Sequence, residues 1–166
     1  RYGLLMIEQP FDPDNYIDHA VLQRSVETPI CLDETLVSFE STRQALELGC
    51  CRAVNLKIAR IGGICEALKI HELCMERGVP LWCGGLLESG VGRAHNVAIA
   101  SLPGFELPGD LSASNRYYRR DIIEPEISLA EGGWIEVPGA PGIGHSIRLP
   151  LLENITVRSL IFPCRE

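Results

Sequence analysis

Ile30-Cys31-Leu32-Asp33-Glu34 is a run of three apolar residues closed by two acids. It is too short and too uniformly apolar for a half-exposed antiparallel strand, which alternates in polarity. It reads as a strand buried on both faces, as in a parallel sheet. Leu4-Leu5-Met6-Ile7-Glu8 has the same form, and Glu8 lies 25 residues before Asp33. Val54-Asn55-Leu56-Lys57-Ile58 follows, with Lys57 24 residues after Asp33. Leu81-Trp82-Cys83-Gly84 and a weaker Phe105-Glu106-Leu107 continue the series.

Helical patterns fill the gaps. One runs from Asp14 to Val26 behind Asp12-Pro13. Ser41-Thr42-Arg43-Gln44 has the form of a capping box, and Gly49 supplies the stop. Ile64, Ala67, Leu68, His71, Cys74 and Met75 share one helical face, closed by Gly78 and Pro80. Ser89 to Ser101 is a fourth helix rich in small residues. Strand and helix alternate at the spacing of a βαβ unit, which predicts an α/β fold over residues 1–120. Glycines and prolines crowd the sequence from about Asp121, so 121–166 reads as extended chain packing on something outside the repeat. Ile155 to Ile161 is a last possible strand.

The composition narrows the partners. The chain has 166 residues and a net charge of −7, which argues against a nucleic-acid backbone or an anionic membrane as partner. No apolar run approaches a membrane span. Seven cysteines, with no C-x-x-C, make neither a zinc ribbon nor a disulfide scaffold. They read as reduced core thiols of a cytoplasmic protein. Arg1 opens directly onto an apolar strand, and the expectation is a piece of a longer chain.

Equal steps put Glu8, Asp33 and Lys57 at the same end of neighbouring parallel strands, the C-terminal end where α/β barrels build their sites. Two carboxylates close together repel unless a cation joins them. A hard cation with oxygen ligands, most simply Mg²⁺ (or Mn²⁺), resolves that. A lysine on the next strand can then act as an acid or base. Glu34 points elsewhere along the pleat and either holds Lys57 by a charge contact or is solvated.

Met6-Ile7-Glu8-Gln9-Pro10, Pro29 to Glu34, Asn55-Leu56-Lys57 with Arg60-Ile61-Gly62-Gly63, Cys83 to Gly90, and Leu107-Pro108-Gly109-Asp110 together resemble the enolase superfamily. More narrowly, they resemble its muconate-lactonizing subgroup, and within it the o-succinylbenzoate synthases and N-acylamino acid racemases. The resemblance implies the C-terminal part, about strands 4–8, of a (β/α)₈ TIM-type barrel, with a C-terminal extension toward a capping domain. It implies Glu8 and Asp33 as metal ligands after strands four and five, and Lys57 as the strand-six lysine facing substrate. A third carboxylate on strand three and a lysine pair on strand two belong to the family pattern and fall before Arg1. The implied reaction is abstraction of an α-proton from a small carboxylate. The outcome is dehydration to o-succinylbenzoate for menaquinone synthesis, or racemisation of an N-acylamino acid. Dipeptide epimerisation is the alternative within the subgroup, and a non-catalytic fragment or partner subunit is the alternative outside it. The implied partners are an N-terminal half of the same enzyme and, once intact, further copies in a homo-oligomer.

Other features carry weaker readings. Gly85 to Gly92 lies between a strand and a helix, where N–H groups can hold a substrate carboxylate or glycines can simply make a tight turn. Gly90-Val91-Gly92 lacks the third glycine of a dinucleotide fingerprint. Glu88 faces substrate, a lysine or neither. Asp110 contacts substrate or caps the next turn. His71 reads as a structural histidine, Ser89 lacks a G-x-S-x-G frame, and Arg116-Tyr117-Tyr118-Arg119-Arg120 reads as a solvated face or loop clamp.

Overall fold

The computed structural model describes residues 2–162. A four-stranded sheet runs in the order β1 (Ile7–Glu8), β2 (Ile30–Leu32), β3 (Ala53–Leu56) and β4 (Leu81–Cys83). All three pairings are parallel: Ile7 is opposite Ile30, Leu32 opposite Val54, and Leu56 opposite Cys83. Strand order follows chain order, as consecutive βα units require. The helices are α1 (Tyr16–Ser25), α2 (Phe39–Glu47), α3 (Ile58–Ile61), α4 (Ile64–Arg77), α5 (Gly90–Ala100) and α6 (Leu149–Ile155).

The strands alternate between two environments, because successive side chains point to opposite faces. Ile30, Leu32, Val54, Leu56, Leu81 and Cys83 join the main apolar core with Ala45, Ala67, Ile70 and Cys74 from the helices. Cys31 and Asn55 are also buried but belong to the other face, which carries polar groups. Burial on both faces, read from the short apolar runs, therefore holds for β2 and β3. The first strand is more open: Ile7 is half-buried and Glu8 exposed.

Three boundaries differ from the sequence reading. The capping box of α2 sits one turn earlier: Ser38 is the cap, its Oγ accepting from Ser41 N at 3.1 Å, while Ser41 Oγ accepts from Ser38 N at 3.0 Å. Ser41 is thus the reciprocal partner of the box, not its start. The Val54–Ile58 run ends as a strand at Leu56, because Ile58–Ile61 winds into a single turn. Gly62 and Gly63, with φ of 94° and 117°, separate that turn from α4 in conformations other residues rarely adopt. The Phe105–Leu107 strand is reduced to a bridge. Leu81 N donates to Gly104 O at 3.2 Å, Asp110 N to Cys83 O at 3.0 Å, and Gly85 N to Asp110 O at 2.9 Å. Pro103 and Pro108 flank the stretch and lack the N–H a ladder needs.

The last possible strand, Ile155 to Ile161, is absent. Leu149-Pro150 starts α6, with proline in its first turn, and the helix runs to Ile155. Val157 and Ile161 are exposed beyond it, with no neighbouring strand among the described residues to pair their backbone. A two-residue antiparallel pair, β5 (Ile123–Glu124) with β6 (Ser146–Ile147), is the extended element of this segment. Ile123 and Ile127 pack with Ala94 and Val97 of α5 in a second apolar cluster. Between them lies a buried ion pair, Arg93 Nη1 to Asp121 Oδ2 at 3.2 Å, each side chain 1% exposed.

Cys31, Cys50, Cys51, Cys74 and Cys83 are buried free thiols, Cys65 is an exposed one, and Cys164 lies outside the described residues. His71 Nε2 meets Pro103 O at 2.6 Å, and its ring stacks on Phe105, as a structural histidine should. Among the described residues no helix is long and apolar enough to cross a membrane.

Candidate active site

The C-terminal ends of β1, β2 and β3 open into one cleft of about 530 Å³. Glu8, Asp33, Glu34, Lys57, Trp82 and Asp110 line it, and the Gln9 to Pro13 loop forms one wall. The structure thus brings Glu8, Asp33 and Lys57 together. Glu8 closes β1, Asp33 directly follows β2, and Lys57 caps α3 in an extended conformation. Each leaves the sheet where its strand stops, so one set of strand ends presents all three.

Asp33 is the hub. It is 4% exposed. Lys57 Nζ donates to its Oδ2 at 2.8 Å, and Arg60 Nη1 donates to Oδ1. A buried carboxylate without such partners would be costly. Arg60 also lies 3.8 Å from Glu34, so Glu34 pairs with Arg60 and not with Lys57. Asp33 N is held as well, donating to Gln9 Oε1 at 2.9 Å, while Gln9 Nε2 donates to Thr35 Oγ1 at 2.9 Å. Gln9 achieves this with φ at +37°, a backbone conformation unusual for a side-chain-bearing residue. The loop after β1 thereby clasps the loop after β2. Glu8 is fixed from the other side, accepting from Asn55 Nδ2 at 2.8 Å.

Below these groups, Trp82 Nε1 donates to Cys31 Sγ at 3.1 Å. Burial pushes the Cys31 thiol up to about 12 against that bond, so it is an inert part of the floor.

Glu88 and Gly85 lie apart from the cleft lining. Glu88 accepts from Leu86 N at 3.0 Å and from Asn96 Nδ2 at 3.1 Å, and burial raises its pKa. It braces its own loop, and the Lys57 charge acts on it as well. Gly85 N is engaged by Asp110 O, and a side chain at 85 would collide with that carbonyl. At the start of α5, Gly90 N donates to Asp121 Oδ1 at 2.8 Å. The chain's own carboxylate thus takes one of the helix N–H groups that could otherwise meet an external one. Asp110 is exposed at the cleft rim.

Glu8 and Asp33 are oxygen donors with no imidazole beside them, a set that suits a hard divalent cation such as Mg²⁺. No group of three His, Cys, Asp or Glu able to hold a metal occurs among the described residues. The two carboxylates therefore fit a part of such a site. Asn55, Arg60 and Gln9 were not singled out from sequence. All three stand in the stretches that carry the family resemblance, and Asn55 had a further signal, a polar residue two before Lys57 and so on the same strand face.

The chain matches the Enolase C-terminal domain-like family over residues 1–150. It is 55% identical over 162 residues to an o-succinylbenzoate synthase of Geobacillus stearothermophilus, covering 98% of this chain and 43% of that protein. It is 48% identical over 155 residues to an N-succinylamino acid racemase of Amycolatopsis sp, covering 93% and 42%. A crystal structure of an enolase-superfamily member from Listeria innocua superposes with a TM-score of 0.87 at 49% identity, over 92% of this chain and 41% of that one. A dipeptide epimerase from Cytophaga hutchinsonii, described as complexed with Mg and a dipeptide, shares the fold with a TM-score of 0.84 at 24% identity, over 92% and 41%. The chain thus spans well under half the length of the curated relatives it matches.

Proposed function

The chain belongs to the enolase C-terminal domain-like family, and from that premise we propose that it supplies two cation ligands and a proton-handling lysine to an enzyme that removes a proton α to a carboxylate. One observation carries the reading: Glu8, Asp33 and Lys57 line one cleft at adjacent parallel strand ends, with the amine 2.8 Å from the Asp33 carboxylate.

A proton α to a carboxylate is weakly acidic, because its removal piles a second charge on the carboxylate oxygens. Held by Glu8 and Asp33, a divalent cation would offset that developing charge. The oxygen-only donor set supports Mg²⁺ in this role, as does the Mg bound in the epimerase of the same fold. Lys57 projects into the same cleft and either moves the α-proton or donates a hydrogen bond to the enediolate while another group moves it. The pairing of Lys57 with Asp33 keeps the amine in register with the carboxylates. Trp82 and Phe11 add apolar surface to a cleft whose lining is otherwise largely polar.

The names of the relatives support a narrower reading: dehydration yielding o-succinylbenzoate, with or without racemisation of N-acylated amino acids. A third carboxylate and the opposing lysines are contributed, in this proposal, by barrel strands outside these 166 residues.

The test is a chimera in which residues 1–162 replace the matching part of the Geobacillus stearothermophilus synthase. It should form o-succinylbenzoate, lose the activity to a chelator and regain it with Mg²⁺. A folded chimera without turnover would overturn the assignment.

A further inference from the structure

Asn55 is 1% exposed on β3, and its two polar atoms are unequally served. Nδ2 reaches across β2 to donate to Glu8 Oε1 at 2.8 Å. Oδ1 is buried and has no hydrogen-bond partner among the described residues. A buried carbonyl oxygen without a donor is costly, so the fold has a reason to keep it. The space beside it is shared with Lys57: a methyl group placed on Gly84 would overlap both Asn55 Oδ1 and Lys57 Cε. The missing side chain at 84 leaves a space that both atoms border. Lys57 Nζ itself is turned to Asp33 Oδ2, and Arg60 occupies the other Asp33 oxygen. A cation engaging Asp33 must compete with one of these donors. Cys31 already accepts from Trp82, and Glu8 Oε1 from Asn55.

We propose that Asn55 is a positioning residue that holds Glu8 through Nδ2 and receives the Lys57 ammonium on Oδ1 when a cation takes Asp33. The inference rests on the reading of Glu8 and Asp33 as cation ligands. Lys57 then needs only a rotation near the end of its side chain, because Cε and the oxygen both border the space that Gly84 leaves open. The amine stays fixed in the cleft in both states. Gly84 is required for this, since any side chain there would stand between donor and acceptor.

The experiment uses the 166-residue chain and its Asn55→Leu and Asn55→Asp variants, with Mn²⁺ as the probe. Free Mn²⁺ is read by electron paramagnetic resonance. Acylation of Lys57 by an amine-reactive ester is read by peptide mass spectrometry with and without saturating Mn²⁺. The unaltered chain should bind Mn²⁺ in the millimolar range, and Mn²⁺ should leave its Lys57 labelling nearly unchanged. Asn55→Leu should bind several-fold more weakly, and saturating Mn²⁺ should speed its Lys57 labelling several-fold. Asn55→Asp keeps an acceptor oxygen, so its Lys57 should stay slow; if the leucine variant does not fold, this comparison decides alone. Fast labelling of Asn55→Asp, or a leucine variant indistinguishable from the unaltered chain, would overturn the proposal. Failure to bind Mn²⁺ both by the unaltered chain and by the chimera would instead remove the cation-site reading beneath it.

Discussion

Asp121→Asn tests the buried ion pair that ties α5 to the segment after it. Asp121 Oδ1 accepts from Gly90 N at 2.8 Å and Ile122 N at 2.7 Å, while Oδ2 faces Arg93 Nη1 at 3.2 Å. Arg93 also donates to Glu88 O at 3.0 Å. Asparagine can keep the Oδ1 bonds only by turning its amide nitrogen toward Nη1, donor against donor. It also leaves the guanidinium charge buried without a counterion. Breaking a buried pair in this way costs about 3–5 kcal/mol. A domain of this size holds roughly 5–15 kcal/mol in total, and each kcal/mol moves its melting temperature by about 2–4 °C. Asp121→Asn should therefore melt some ~6–20 °C lower by far-ultraviolet circular dichroism at one scan rate. Arg93→Met combined with Asp121→Asn removes the stranded charge and should recover most of the loss. A single variant that melts within about 3 °C of the unaltered chain, or a double variant no better than the single, would refute this account of the pair.

In the chimera, Lys57→Ala should abolish turnover while leaving Mg²⁺ affinity largely in place, whereas Asp33→Asn and Glu8→Gln should weaken Mg²⁺ binding as well, by calorimetry. The pH dependence of melting should separate two carboxylates. Burial pushes Asp121 up, but hydrogen bonds from Ser114, Gly90 and Ile122 and the Arg93 charge outweigh it, leaving its pKa below 3.8. Its stabilisation is complete above that ordinary value and fades as pH falls through the folded one, so the gap between Asp121→Asn and the unaltered chain should close in acid. Glu88 is raised above 4.5, chiefly by burial. Its ionisation therefore destabilises as pH rises through the folded value, and Glu88→Gln should flatten that decline. Iodoacetamide should modify Cys65 first among the described cysteines, since burial lifts Cys31, Cys74 and Cys83 to about 12; peptide mapping checks the order. The chain alone should self-associate by light scattering and show no synthase or racemase turnover, because β1 presents an open edge beside the exposed Leu4 and Leu5.

The parallel strands and the Glu8, Asp33 and Lys57 set were legible because both rest on periodic spacing. A strand end repeats with each βα unit, and its last residue inherits the position. What escaped lies off that period. Gln9 acts through a side chain that crosses to Asp33 N and Thr35 Oγ1, and its unusual φ leaves no mark in composition. Arg60 reaches Asp33 because a single helical turn intervenes, where the apolar run suggested more strand. The Arg93–Asp121 pair joins residues 28 apart in elements that share no repeat. Ile155 to Ile161 misled because β-branched residues promise a strand only where a neighbouring strand exists to receive it.

The sheet order β1-β2-β3-β4 also bears on how the chain reaches this structure. Every strand finds its partner one βα unit away, so each pairing closes a loop of only some two dozen residues. The entropy of closure grows slowly with loop length but is incurred afresh for each distant contact. Here no pairing within the sheet waits for a distant part of the chain. Each strand can add to the edge its predecessor leaves, and that edge is the nucleus for the next. The Arg93–Asp121 pair then locks the chain that follows α5 onto a surface that is already assembled.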